Sequence, residues 1–156
     1  MHDFEKALDH GSKAFQLNPN DPRVSSVYGE ILIRIEKLDE GISLLEKAYE
    51  LDPIPQGQST SDRRICALLT GYYLSNNINR CEELINQIVD IDFKSWLLTI
   101  DIYNDNEKDL QNQVWFTKGI SKFKDFDLRL EVDRFHLNNK ALSKELVNKA
   151  ESILIN

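Results

Sequence analysis

The sequence predicts an all-α domain of antiparallel helix pairs stacked side by side. Three observations carry that expectation. Apolar residues recur at spacings of three and four along most of the chain, the pattern of one buried helix face. The opening stretch also echoes itself: Phe4, Ala7, Gly11, Ala14, Leu17 and Pro19 return 34 residues later as Leu38, Gly41, Leu45, Ala48, Leu51 and Pro53. Finally, Pro (4) and Gly (6) are scarce in 156 residues, and no strand-like alternation persists anywhere. A fixed period marks a repeat architecture, in which a helix pair cannot bury its apolar face alone and stacks on its neighbours.

The elements follow in order. Asp3 to Leu17 carries the stripe Phe4, Ala7, Leu8, Gly11, Ala14, Phe15 and Leu17 and is stopped by Asn18-Pro19. Asp21 is placed to cap the next helix with Pro22 at its first position. That helix is expected over 22–35, burying Val24, Val27, Tyr28, Ile31, Leu32 and Ile35, with Gly29 where a neighbour comes close. A third is expected over 39–51, ended by Asp52-Pro53. The stretch 54–61 contains Pro55, Gly57, Ser59 and Thr60 and reads as a loop. Beyond it the pattern resumes with an offset of 40: Leu68, Tyr72, Ile78, Cys81, Ile85, Ile88 and Ile91 match Tyr28, Leu32, Leu38, Gly41, Leu45, Ala48 and Leu51. Helices are expected over 61–75 and 78–89, with Asn76-Asn77 as the turn. From Phe93 the repeat degenerates. Trp96, Leu97, Ile100 and Tyr103 suggest a short helix. Leu110, Val114, Thr117 and Ile120 suggest its partner. Further helical stretches are expected over 126–137 and from Leu142 to Leu154.

Tyr28, Gly29, Leu32, Leu38, Gly41, Leu45, Ala48 and Pro53 resemble the consensus of the tetratricopeptide repeat family, with Ser25 where that family has its first aromatic. The match covers about Phe4 to Ile91. The resemblance implies a right-handed superhelix of stacked pairs with a degenerate C-terminal helical cap. It divides a single domain, 1–156, into the second half of a truncated repeat (3–19), repeats at 22–53 and 61–92, a degenerate repeat at 93–123 and a cap at 126–156. The first helix aligns with the second helix of a repeat. The expectation is therefore a C-terminal fragment of a larger protein. The stripe of Phe4, Leu8 and Phe15 is then part-exposed, and a homodimer through this N-terminal helix is one way to cover it.

Composition narrows the function. The formal net charge is -7, so the chain is a poor candidate for the phosphate-driven part of nucleic-acid affinity. No apolar run approaches the ~20 residues of a membrane-spanning helix. There is no Gly-rich phosphate loop, no G-x-S-x-G elbow and no H-E-x-x-H, so neither enzyme activity nor a cofactor is expected. His2, His10 and His136 share no spacing with cysteines or carboxylates, and no metal site is expected. The acidic run Asp101, Asn104, Asp105, Asn106, Glu107 and Asp109 lacks the glycine and glutamate of a calcium loop. Cys66 and Cys81 fall out of step on neighbouring helices, which argues for two thiols rather than a disulfide. The aromatics Trp96, Trp115, Phe116, Phe123 and Phe126 read mostly as core.

What remains is recognition. By resemblance, the concave face of the repeats takes a protein or peptide, and its lining positions are Arg23, Ser26, Val27, Glu30, Ile33 and Arg34, then Arg63, Cys66, Ala67, Thr70 and Tyr73. The family's clamp for a terminal carboxylate is not reproduced, because its positions hold Arg23, Val27, Arg63 and Ala67. The expected function is a non-catalytic interaction or scaffolding module. The alternative is a sensory or regulatory domain that binds a small molecule or partner subunit. Bacterial transcriptional activators and nucleotide cyclases with C-terminal repeats are similar in layout.

Overall fold

The computed structural model describes residues 4–53, 58–88, 91–105, 109–110, 112–124 and 140–155. Among them the chain is helical, with eight helices and no strand. They divide into two compact units, Met1–Asn77 and Ile78–Asn156. The division falls at the Asn76-Asn77 turn, inside the segment 61–92 that the sequence reads as one repeat.

The first unit holds α1 (Phe4–Leu17), α2 (Pro22–Arg34), α3 (Leu38–Leu51) and α4 (Gln58–Leu74). Helix α1 packs on α2, α2 on α3, and α4 on both α2 and α3. The start of α2 is the one its sequence asks for. The Asp21 carboxylate accepts the Arg23 backbone N–H at 2.8 Å, with Pro22 at the first helical position. Its end is a left-handed turn. Glu36 sits at φ 65°, and the Lys37 N–H donates back to the Leu32 carbonyl at 2.9 Å. Helix α4 ends the same way, with Asn76 at φ 57° and the Asn77 N–H on the Tyr72 carbonyl at 2.8 Å. Glu36 and Asn76 are separated by the same offset of 40 that relates the apolar stripes of the two repeats. Both turns use the residue after the C-cap to satisfy carbonyls that the helix leaves open.

Close approach of α2 and α3 organises this unit. A Cβ built on Gly29 would lie 2.9 Å from the Gly41 carbonyl oxygen, and one on Gly41 would lie 2.8 Å from the Gly29 oxygen. The two backbones therefore touch where neither helix carries a side chain. Leu32, Leu45 and Ala48 close the space around that contact and are at most 1% exposed. Gly71 repeats the device on α4, its Cβ position lying 2.8 Å from both Ile33 Cδ1 and Ile42 Cγ1. Helix α4 begins at Gln58, three residues earlier than expected, so part of the stretch read as a loop is helical.

The second unit holds α5 (Ile78–Ile85), α6 (Phe93–Asp105), α7 (Val114–Phe123) and α8 (Lys140–Leu154), with α6 packed on each of the other three. Helix α5 is shorter than expected. Asp92 caps α6, accepting from the Ser95 N–H at 3.0 Å and the Ser95 hydroxyl at 2.9 Å. Every residue of α6 from Ser95 to Tyr103 is buried. A helix buried on all sides needs a mostly apolar sequence, and Trp96-Leu97-Leu98 with Ile100 and Ile102 supplies it. Its polar members are satisfied locally. The Thr99 hydroxyl donates to the Ser95 carbonyl, and Asp101 pairs with the Lys149 ammonium on α8. Burial holds Lys149 below the usual lysine pKa. Asp101 is thus turned into the unit. The Trp96 indole lies over Gly119 of α7 and against the rings of Phe116 (6.2 Å) and Phe123 (5.6 Å). The helix expected over 126–137, with Phe126, lies outside the described residues.

Two substitutions test this packing through urea midpoints. Alanine normally gains ~1 kcal/mol over glycine inside a helix. Gly119→Ala reverses that sign, because the added methyl would stand 1.9 Å from Trp96 Nε1, and a net loss of about 1–3 kcal/mol is expected. Glu36→Gly relieves a left-handed residue without losing a contact, and a gain of ~0.5–1 kcal/mol is expected.

Candidate functional site

One row of helix α2 holds Arg23, Val27, Glu30 and Arg34 at the three- and four-residue spacing of a single helix face; Arg23 and Val27 are exposed, Arg34 is half-buried and the Glu30 side chain is 13% exposed. Its opposite side, Ser25, Gly29, Leu32 and Ile33, is buried. Arg23 is largely exposed and reaches back to the Asp21 carboxylate, Nη2 lying 3.3 Å from Oδ2. That guanidinium, with the backbone cap, holds the Asp21 carboxyl below its ordinary pKa. Arg34 donates to the Glu30 carboxylate one turn away. Between these charged ends Val27 is 48% exposed, not on the buried face where its apolar side chain was expected; the residues that α2 turns inward are Ser25, Gly29, Leu32 and Ile33. An apolar side chain framed by charge is the composition of an interface core with its polar rim.

The other positions divide between rim and interior. Ser26 is half-buried; its hydroxyl donates to the Pro22 carbonyl and accepts from Arg64 Nε, each at 2.7 Å. Cys66 and Tyr73 on α4 are half-buried. Arg63 is in the helix, and its side chain lies outside the described residues. Ile33 and Thr70 are 3% exposed and Ala67 6%, so these three belong to the interior rather than to an open lining. The reason for Ile33 is visible at Gly71: with no side chain there, α4 closes onto the Ile33 δ-methyl. Thr70 spends its hydroxyl on the Cys66 carbonyl at 2.7 Å, as a helix-buried threonine does.

Arg64, which the sequence reading passed over, ties the face together. Its residue is 2% exposed. Nε donates to Ser26 of α2, and Nη1 donates to the Ala48 carbonyl at 3.1 Å and to the Asp52 carbonyl. Nη2 stands 3.7 Å from the Asp52 carboxylate. One guanidinium thus joins α2, the end of α3 and α4. Burial lowers its pKa, with the Asp52 charge opposing that shift. A clue was present in the sequence: shifted back by 40, Arg64 falls on the stripe position of Val24, where a charge has no place unless it is paired.

Cys66 and Cys81 are both thiols, with no disulfide between them. Cys81 is fully buried on α5, and burial pushes its thiol up to about 12. Among the described residues, no group of three or more His, Cys, Asp or Glu side chains is placed to hold a metal ion, and no helix is long and apolar enough to cross a membrane. No family model matches this chain, and no curated protein or solved structure is significantly similar to it.

Two outcomes are expected. Arg64→Ala strips donors from two carbonyls and a hydroxyl; the loss is about 1–3 kcal/mol, read from the urea midpoint, while Asp52 stays hydrated at the rim. For Cys81 the folded-state pKa lies above the unfolded value. Its contribution is therefore intact below pH ~9 and is lost as pH rises toward about 12. At pH 8 a thiol reagent should titrate at most Cys66 in the folded chain and both cysteines in urea.

Proposed function

We propose that this chain is a non-catalytic protein-interaction module of the tetratricopeptide type. Its helix pairs continue as a right-handed superhelix, and it takes a peptide or partner segment on the concave face lined by α2 and α4. The observation that carries this reading is Val27, half exposed at the middle of α2 with Arg23 on one side and the Glu30–Arg34 pair on the other. The seam beside it is supported from within by Arg64, Ile33 and Gly71, so α2 and α4 offer a firm surface. The mixed charge of the rim suits a partner with an apolar anchor flanked by residues of both signs. The anchor supplies most of the binding free energy, and the rim excludes water.

Selection of short peptides from a random library against the full chain, followed by amide-resonance mapping, tests the reading. The selected peptides should shift Arg23, Val27, Glu30, Arg34, Cys66 and Tyr73. Val27→Asp should weaken them by about tenfold or more, while leaving the unfolding midpoint nearly unchanged, because the side chain is the half-exposed anchor of the face and not part of the helix-packing core. Shifts that map elsewhere, or affinity indifferent to Val27→Asp, would contradict it.

A further inference from the structure

The charge beside Val27 is mixed in sign, but the two signs are not equally presented. In each ion pair that flanks it, the arginine is the outer member. The Arg23 side chain is 78% exposed and that of Asp21 26%; Arg34 is 31% exposed and Glu30 13%. Asp21 is also held from within, because it accepts the Arg23 backbone N–H at 2.8 Å as the cap of α2. Each pair is therefore a dipole with its positive end toward solvent. Arg23 meets Asp21 through Nε and Nη2, at 3.4 and 3.3 Å. A guanidinium carries its N–H donors in a fixed fork, so this geometry leaves the Nη1 side to take a carboxylate from outside. The chain as a whole is acidic, with a formal charge of -7, yet α2 holds Arg23 and Arg34 against Glu30. Helix α3, packed on the buried side of α2, holds Asp39, Glu40, Glu46 and Glu50 against Lys47.

We propose that the partner of this face is an acidic polypeptide segment, with one apolar side chain on Val27 and a carboxylate on each side of it, toward Arg23 and toward Arg34. The inference rests on the reading of α2 and α4 as a binding face and adds the sign of what binds. Along α2, Arg23 lies about 6 Å to one side of Val27 and Arg34 about 10 Å to the other, at ~1.5 Å per residue. An extended chain advances ~3.3 Å per residue, so its carboxylates fall about two residues to one side of the anchor and about three to the other. Charges matched in this way speed association and reject basic competitors, because like charges brought together across an interface repel. A nucleic acid is disfavoured, since its phosphates extend past the two arginines along a chain of net charge -7.

The probes are peptides selected from a random library against the full chain, made with amidated C-termini so that no terminal carboxylate takes part. Those whose amide shifts centre on Val27 should carry Asp or Glu on both sides of an apolar residue. Exchanging every Asp and Glu for its amide should weaken them by about tenfold or more at low salt, and raising salt from about 50 to about 500 mM should do much of the same. Arg23→Glu should weaken the acidic peptides with little change in unfolding midpoint, and a Lys in place of the peptide's nearer carboxylate should restore binding to that variant. The inference is overturned, with the binding face left standing, if the peptides that depend on Val27 are neutral or basic, or if their amide forms bind equally well. If no selected peptide maps to Val27, the reading of the face and the inference fall together. A single-stranded oligothymidylate that displaces the peptides at equal or lower concentration also overturns it, by making the row a general polyanion site.

Discussion

Two glycines facing each other across α2 and α3 set the geometry of the first unit. Gly29 and Gly41 are each within 3 Å of the other's carbonyl oxygen once a Cβ is imagined on them, so the helices meet backbone to backbone. Everything nearby follows from that separation. Leu32 and Leu45 reach across because the axes are close, and Ala48 is buried because there is no room for more. Ile33 then lies at the meeting point of three helices, with glycines at positions 41 and 71 making space for one δ-methyl. Packing of this kind is unforgiving, since interiors are filled to the density of organic crystals and a single added methyl must displace something.

The second unit solves the same problem differently. Instead of small residues repeated along paired helices, it uses one helix, α6, buried over its whole middle, and lets Trp96 fill the space that Gly119 leaves. The aromatic cluster of Trp96, Tyr103, Trp115, Phe116 and Phe123 is the consequence, since flat rings at 5–6 Å fill irregular gaps that matched aliphatic pairs would not. The buried Asp101–Lys149 pair fixes where α8 lies along α6. Ion pairs of this depth add little net stability, but they disfavour other registers.

Much of the first unit was legible because its rules are local. The Asp21-Pro22 start, the small residues at 29, 41 and 48, and the offset of 40 announce helix ends and close contacts by residue type alone. The left-handed Glu36 was not legible, since glutamate carries no preference for that conformation and the turn imposes it. In the second unit the stripe showed that α6 is a helix but not that it is enclosed on all sides, because Ser95, Thr99 and Asp101 look like a solvent face until their partners are seen. The candidate face was half legible. Arg23, Val27, Glu30 and Arg34 share one helix row, but Val27, apolar enough to read as core, is half exposed, and the Glu30 side chain, paired with Arg34, is 13% exposed. Ile33, Ala67 and Thr70 are drawn inside by the approach of α4, and Arg64 was hidden because burial of a guanidinium depends on two carbonyls and a hydroxyl brought from other helices.

The proposed reading therefore depends on how firmly α2 and α3 hold their relative positions, since an apolar anchor on α2 has no meaning on a loose bundle. The direct measurement is a nuclear Overhauser effect between the Hα protons of Gly29 and Gly41 in the intact chain. Helices touching at these residues give a strong cross-peak between protons twelve positions apart in sequence. A missing cross-peak in a chain that is fully helical by circular dichroism would mean that α2 and α3 do not meet there, and the account given for the first unit would be wrong.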